Sequence, residues 1–223
     1  MINELVWRQL KSQLDAKGVT LVAVSKTKPV ADIQALYNLG QRDFGENYVQ
    51  ELVEKQAQLP NDIRWHFIGH LQSNKVKQIA PFVQMIHAVD SFKLLTEINK
   101  QAVKNGRTID VLLQMHIADE ETKFGMSVKE MFDFMDYYRA QKDDLKLVEI
   151  RGLMGMASFT NDETKVEQEF LQLYNRFLIM QRTDFIGKNT FDICSMGMSA
   201  DYAIAIHCGS TMVRIGSALF GTR

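Results

Sequence analysis

The chain has 223 residues, of which 46% are hydrophobic, enough to supply the core of one large domain or two small ones. Its 26 basic and 27 acidic residues leave a formal net charge of −1, and the basic residues are scattered, so nucleic acid is not an expected partner. No apolar run is long enough to cross a bilayer, and the opening segment lacks the apolar core of a signal peptide, so no membrane partner is expected. Cys194 and Cys208 have neither metal-ligand nor redox spacing, which favours reduced thiols and a cytoplasmic location.

The first half of the chain alternates helical periodicity with short apolar runs. Apolar residues four apart predict an opening helix that ends at Gly18. Small and β-branched residues then predict four strands, over residues 20–25, 42–45, 64–69 and 85–89. The helical segments between and after them end near breakers of helical structure, at Gly40, Pro60, Pro81 and Gly106.

The second half keeps the same alternation. Strands are predicted over residues 110–117, 147–154, 191–194 and 212–215. Capping boxes at 127–130 and 160–163 predict the starts of two helices, and Asp201 is expected to lead a third. Eight strands alternating with helices indicate an α/β fold, a single (β/α)8 TIM barrel with an extra N-terminal helix, in one domain over residues 1–223. An open doubly wound sheet is the alternative.

Lys26 stands at the end of the apolar run 21–24, where a strand has no structural need for an amine. Apolar surroundings disfavour the charged form of a lysine and leave its amine able to attack an aldehyde. Pyridoxal phosphate (PLP) is such an aldehyde, so Lys26 is a candidate for a Schiff-base linkage. The alternative is a solvated lysine that ends a strand.

Other polar residues interrupt the ends of predicted strands, and in a barrel these ends lie on one face. Ser195 and Ser199 flank Gly197 in one strand-to-helix turn, and Arg214 precedes Gly216 and Ser217 in another, where backbone amides can approach a phosphate. The alternatives are a helix cap at Ser199 and a salt-bridged barrel residue at Arg214. Asn47, with Glu46, follows the second strand.

Five segments carry a family resemblance. They are Val-Ser-Lys-Thr-Lys-Pro (24–29), Phe-Gly-Glu-Asn-Tyr-Val-Gln-Glu (44–51), Trp-His-Phe-Ile-Gly-His-Leu-Gln-Ser-Asn-Lys (65–75), Ser-Met-Gly-Met-Ser (195–199) and Gly-Ser-Thr-Met-Val-Arg-Ile-Gly (209–216). With them the chain resembles the pyridoxal phosphate homeostasis protein family. The resemblance runs from Val19 to Gly221 and implies a fold-type III PLP-binding barrel, similar to the N-terminal domain of alanine racemase.

The resemblance implies roles for individual residues. Lys26 matches the Schiff-base lysine, Arg214 the arginine that faces the ring nitrogen, and Gly216 with Ser217 a phosphate-binding turn. Asn47 matches a residue that lines the cofactor pocket. Ser195 and Ser199 both fall in the second phosphate segment, and which of them contacts phosphate stays open. Lys123 matches a lysine implicated in cofactor release, with a solvated loop lysine as the alternative.

The resemblance also implies buffering and delivery of PLP without robust catalysis, with PLP-dependent apo-enzymes as partners and a monomeric state. The alternative is a PLP-dependent amino-acid racemase, which needs a second base opposite Lys26 that the sequence does not identify. A regulatory module acting through protein contacts is compatible with the first hypothesis.

Two further groups of residues are interpreted as structural. His66, His70 and His87 are expected on different faces, so no metal site is predicted. Glu46, Glu51 and Glu54 have helix-like spacing and are expected on a solvated face.

Overall fold

The computed structural model describes residues 2–120 and 124–221. Its eight parallel strands are β1 (Thr20–Val24), β2 (Asp43–Glu46), β3 (Arg64–Phe67), β4 (Met85–Val89), β5 (Ile109–Gln114), β6 (Val148–Met154), β7 (Ile193–Ser195) and β8 (Met212–Ile215). They follow the chain order around a closed barrel, because β1 pairs with both β2 and β8. The predicted (β/α)8 barrel is confirmed, and the open sheet is ruled out because no strand of the barrel is an edge.

Helices follow the strands on the outside of the barrel. They are α1 (Glu4–Asp15), α2 (Val30–Asn38), α3 (Val49–Gln56), α4 (Val76–Ile79), α5 (Phe92–Lys104), α6 (Val128–Gln141), α7 (Glu163–Arg182), α8 (Tyr202–His207) and α9 (Ser217–Phe220). Short 3-10 turns occur at Ser73–Lys75 and Lys142–Asp144. Helix α1 precedes β1 and is the predicted extra helix. No helix in the described ranges combines the length and apolar character that crossing a membrane requires.

Two helix starts show how local sequence sets an element boundary. Ser127 and Glu130 form the predicted capping box before α6, each side chain accepting a backbone N–H of the other residue. The box predicted from Thr160 is wrong, because Asp162 caps α7 by accepting the N–H of Lys165.

The predicted strand over 110–117 was wrong at its carboxyl end, because β5 ends at Gln114. After Gln114 the N–H of Met115 still donates to the Met154 carbonyl of β6 at 2.8 Å, but on its other side the backbone pairs with a loop. The N–H of Met126 donates to the Gln114 carbonyl at 2.8 Å, and the N–H of His116 donates to the Met126 carbonyl at 2.9 Å. On this side the loop before α6 therefore forms the hydrogen bonds that a neighbouring strand would form in a longer β5.

The core has two apolar layers. The larger lies between the strands and the helices, and includes the buried rings of Phe44, Trp65 and Phe170. The smaller fills the inside of the barrel and consists of Val22, Met85, Ala88, Leu112, Met154 and Met212. Buried polar side chains share the strands with these residues, so the barrel interior is only partly apolar.

Candidate functional site

The carboxyl ends of β7, β8, β1 and β2 are neighbours in the barrel and border a cavity of about 510 Å³. Apolar side chains form much of its wall, among them Val24, Ile68, Met156 and Met198. Six of the seven residues that the sequence assigned to a cofactor also line it, namely Lys26, Asn47, Ser199, Arg214, Gly216 and Ser217. The ends of four strands thus bring these six residues together at one cavity.

Lys26 occupies a turn just beyond β1. Side chains alternate along a strand, so Val24 faces the cavity while the hydroxyl of Ser25 points the other way, toward Glu46. Lys26 is half-buried and lines the cavity, two residues beyond Val24. Lys28, another two residues on, donates from Nζ to the carbonyl of Gly221 at 3.0 Å. Both lysines line the cavity, and the hydrogen bond to Gly221 holds the amine of Lys28.

Asn47 follows β2 and contributes a buried amide to the cavity wall. Its Oδ1 atom is shielded from solvent and accepts no hydrogen bond from the described part of the chain. Buried oxygens of this kind are usually paired in folded proteins. The Asn47 carbonyl oxygen is therefore suited to a hydrogen-bond donor on a bound molecule.

Gly216 joins the two turns that the sequence singled out. Its N–H donates to Ser199 Oγ at 3.3 Å, which links the end of β8 to the turn after β7. A Cβ atom at this position would lie 3.1 Å from the carbonyl oxygen of Val24, so β1 and β8 approach closely here. Glycine leaves the backbone accessible where a larger residue would crowd the neighbouring strand.

Arg214 is a buried cation at the base of the cavity. It donates from Nη1 to Ser195 Oγ at 2.7 Å and from Nη2 to the Gly155 carbonyl at 3.0 Å. Burial lowers the pKa of Arg214 to about 10, so it stays protonated at neutral pH. Both of these acceptors are neutral; the negative charge of Asp201 raises the pKa of Arg214 and so opposes the effect of burial, but Asp201 forms no salt bridge with it in the described structure.

Ser195 does not line the cavity. It is fully buried at the end of β7, and its Oγ atom lies 3.4 Å from His87 Nδ1. His87 Nε2 lies 2.9 Å from His66 Nδ1, and His66 Nε2 lies 3.0 Å from Asp43 Oδ1. Since β4 and β7 are not adjacent, the contact between His87 and Ser195 crosses the inside of the barrel.

Two fixed ends constrain the donors and acceptors of this chain. Arg214 can only donate, so the Ser195 hydroxyl accepts from it, and the ionised Asp43 can only accept, so His66 donates to it from Nε2. Between these ends two arrangements fit: His87 donates to His66 and accepts from Ser195, or it accepts from His66 and donates to Ser195. Burial holds the pKa of His87 well below its ordinary value, and electrostatic interaction with His66 and Arg214 lowers it further, so its ring is neutral in either arrangement.

Asp43 is the final acceptor. Burial raises the pKa of Asp43, but hydrogen bonds from His66 and Arg64 outweigh burial and lower it to about 2. The arrangement corrects the expectation that His66 and His87 lie on different faces. No group of three or more potential metal ligands occurs among the described residues.

The expectation of a solvated face at Glu46, Glu51 and Glu54 was wrong for the first two. Glu46 is fully buried and Glu51 is partly buried, and both accept a hydrogen bond from the buried Lys55. Only Glu54 is exposed. The sequence signal was the four-residue spacing of Glu51 and Lys55 directly after a strand. Lys123 lies outside the described residues.

Comparisons with known proteins show the family of this chain. A family model described as "Alanine racemase, N-terminal domain" matches residues 6–223. A pyridoxal phosphate homeostasis protein of Pasteurella multocida is 43% identical over 211 residues, covering 92% of this chain and 87% of that protein.

Solved structures extend the comparison to the fold. PipY of Synechococcus elongatus, with PLP bound, superposes with a TM-score of 0.82 and 34% identity, covering 97% of this chain and 98% of that one. An alanine racemase of Streptomyces lavendulae superposes with a TM-score of 0.75 and 16% identity, covering 94% of this chain and 55% of that one. At that identity the racemase shows the shared barrel alone.

Proposed function

Because this chain belongs to the pyridoxal phosphate homeostasis protein family, we propose that it binds PLP in the cavity at the ends of β7, β8, β1 and β2. The observation that carries the proposal is the convergence of Lys26, Arg214 and Ser199 on one cavity. Its role is intracellular PLP homeostasis, in which bound cofactor is buffered and delivered without robust catalysis. The relatives are named for homeostasis rather than for a reaction, which supports this assignment.

The cavity residues suit PLP in chemical type and number. The amine of Lys26 can form a Schiff base with the aldehyde of PLP. The buried guanidinium of Arg214 can donate a hydrogen bond to the ring nitrogen. The unpaired Oδ1 of Asn47 suits a hydroxyl donor on the ring. PLP supplies an electrophilic carbon and a conjugated ring, and the protein holds and orients both.

Lys26 is the covalent anchor in this proposal. Its neutral amine attacks the aldehyde carbon, a carbon–nitrogen double bond forms, and the aldehyde oxygen leaves as water. Hydrolysis reverses the same step and releases the cofactor. A reversible Schiff base of this kind suits a protein that stores and returns PLP.

Arg214 sets the electronic character of the site. A protonated guanidinium donates to the ring nitrogen and keeps that nitrogen unprotonated, which weakens the ring as an electron sink. Stabilisation of a carbanion on a bound amine is then poor. An arginine at this position therefore favours storage of the cofactor over reactions that pass through a carbanion.

The phosphate is proposed to bind at the turn formed by Ser199, Gly216 and Ser217. Ser199 and Ser217 supply hydroxyl groups, and Gly216, whose N–H donates to Ser199 Oγ, lines the cavity with them. Of the two serines that the sequence left open, we assign the phosphate contact to Ser199. Ser195 is assigned to the support of Arg214, because its hydroxyl is buried beneath the guanidinium.

The alternative function is amino-acid racemisation, which needs a proton donor and acceptor on both faces of the ring. Among the described residues that line the cavity, the groups besides Lys26 able to exchange a proton are Lys28, which donates to the Gly221 carbonyl, and Asp201, which accepts from the Met198 N–H; no tyrosine, histidine or cysteine accompanies them. We therefore expect no substantial racemase activity. Interconversion of alanine enantiomers at ordinary enzyme rates by the purified protein, and its loss in Lys26→Ala, would establish the alternative.

The decisive experiment for PLP binding follows the visible absorbance of the protein mixed with PLP. Borohydride reduction and peptide mapping then locate the modified lysine. We expect label on Lys26 and not on Lys28, no covalent adduct in Lys26→Ala, and normal labelling in Lys17→Ala, whose lysine is exposed before β1. Label confined to other lysines, or unchanged adduct in Lys26→Ala, would refute the assignment of Lys26.

The remaining proposals concern the context of the protein. We propose one domain over residues 1–223, a monomeric state, a cytoplasmic location and PLP-dependent apo-enzymes as recipients. Transfer of PLP to an apo-enzyme, followed by recovery of that enzyme's activity, tests delivery. Light scattering of the purified protein tests the monomer, and a mass twice that of the chain would contradict it.

A further inference from the structure

A buried charged cluster, formed by Glu46, Glu51 and Lys55, makes hydrogen bonds to the turn that carries Lys26. Lys55 lies on α3 with its side chain 6% exposed, and Glu46 ends β2 with its side chain 0% exposed. Lys55 Nζ lies 2.7 Å from Glu46 Oε1 and 2.6 Å from Glu51 Oε1. The cluster lies on the side of the strand opposite to the cavity.

Each member of the cluster also bonds to a residue next to Lys26. Lys55 Nζ donates to the Ser25 carbonyl at 2.7 Å, and the Ser25 hydroxyl donates to Glu46 Oε1 at 2.6 Å. The N–H of Thr27 donates to Glu51 Oε1 at 2.5 Å. The residues on both sides of Lys26 are therefore held, and the chain between them has little freedom.

Lys55 acts as a crosslink in this arrangement. An ammonium group has three N–H donors, and the three acceptors around Lys55 are the Ser25 carbonyl and the two carboxylates. Every donor is used, and two carboxylates face the single positive charge; burial raises the pKa of Glu46, the more deeply buried of the two. Lys26 and Lys55 thus lie on opposite sides of one turn, and of these two only Lys26 lines the cavity.

The backbone of the turn requires such support. Thr27 has φ of 65°, and it is the only residue other than glycine with positive φ in the described ranges. A β-branched side chain strongly disfavours this conformation, so it persists only where surrounding contacts impose it. The N–H bonded to Glu51 belongs to this same residue. The strained backbone at Thr27 and the hydrogen bond that restrains it therefore lie one residue after Lys26.

We propose that Glu51, together with Glu46 and Lys55, is a positioning residue that holds the Lys26 amine toward the cofactor aldehyde. This inference rests on the proposed function, because it assumes that Lys26 is the residue that PLP modifies. None of its three side chains lines the cavity, so the cluster acts through the backbone of the turn. It fixes the direction of the amine, and it thereby sets how fast the carbon–nitrogen bond forms and how fast water reverses it.

The test compares Glu51→Ala with Glu54→Gln, a matched control on the exposed side of the same helix. The rate of the visible absorbance change after mixing with PLP reports covalent attachment. Binding of 4-deoxypyridoxine 5′-phosphate, which has no aldehyde, reports the cavity alone. We expect Glu51→Ala to slow attachment on the order of tenfold while the affinity for this probe changes less than about twofold. Glu54→Gln is expected to match the parent protein in both.

A rescue variant separates positioning from general loss of structure. Glycine adopts positive φ without strain, so adding Thr27→Gly to Glu51→Ala is expected to recover part of the lost rate. An attachment rate in Glu51→Ala equal to that of the parent would overturn the inference, as would an equal loss of rate and probe affinity that Thr27→Gly does not reverse. Failure of the parent protein to form an adduct on Lys26 would instead overturn the proposed function.

Discussion

Replacement of Asp43 by Asn removes a charge whose effect on stability has a defined pH dependence. Asp43 is the final acceptor of the chain that begins at Arg214, and its carboxylate also accepts from Arg64 Nε at 2.7 Å. In Asp43→Asn, the carbonyl oxygen of the new side-chain amide can still accept from His66 Nε2. The substitution therefore removes charge while it keeps an acceptor for the histidine.

The magnitude follows from the pKa of Asp43, which is lowered from 3.8 to about 2 in the folded protein. At about 1.4 kcal/mol per pKa unit, this lowering corresponds to about 2.4 kcal/mol of stability. Arg64 is 51% exposed, and solvent screening of its contribution leaves about 2 kcal/mol. Because the folded pKa is the lower one, the contribution is complete above pH of about 5 and is lost as the pH falls toward 2.

Urea unfolding of the parent protein and of Asp43→Asn at pH 5 and pH 3 measures this contribution of Asp43 to the free energy of unfolding. We expect the stability advantage of the parent to shrink by about 1 kcal/mol between the two pH values. Asp133→Asn, which changes an exposed acid on α6, is the control and is expected to show a smaller pH-dependent difference. An advantage for the parent over Asp43→Asn that is equal at both pH values would refute the reasoning.

The remaining predictions concern the two turns at the cavity. Ser199→Ala is expected to weaken PLP binding by roughly tenfold through loss of a hydrogen bond to a charged phosphate, as measured by titration, and to lower the free energy of unfolding by about 1 kcal/mol, because the part-buried N–H of Gly216 loses its acceptor. Ser195→Ala is expected to lower the free energy of unfolding by about 1–3 kcal/mol, because a buried donor of Arg214 loses its acceptor; an unchanged urea midpoint would contradict this. Gly197→Ala is expected to destabilise the protein by at least about 1–3 kcal/mol in thermal unfolding, since φ is 96° there, and a neutral effect would show that the turn adapts.

The order of elements and the family were predictable because they depend on local patterns. Alternating apolar strands and amphipathic helices lead to a barrel whatever the details of packing, and the cofactor residues stand at strand ends in continuous motifs. The position of Lys26 next to a buried strand was visible for the same reason. Strand ends were less accurate, as at Gln114, because loop backbone from about ten residues away competed for the hydrogen bonds of the sheet.

Contacts between distant segments were decided by the tertiary structure. His66, His87 and Ser195 are far apart in sequence, and only closure of the barrel brings β4 and β7 within hydrogen-bond distance across its interior. Burial likewise depends on which face of α3 meets β1, so helical spacing alone could not show that Glu46 and Lys55 pair out of solvent. The sequence by itself determined the fold class, the family and the candidate cofactor residues, since these follow from local periodicity and contiguous motifs. The tertiary structure decided which polar groups are paired, which are buried and what restrains the turn at Lys26, because these depend on long-range packing.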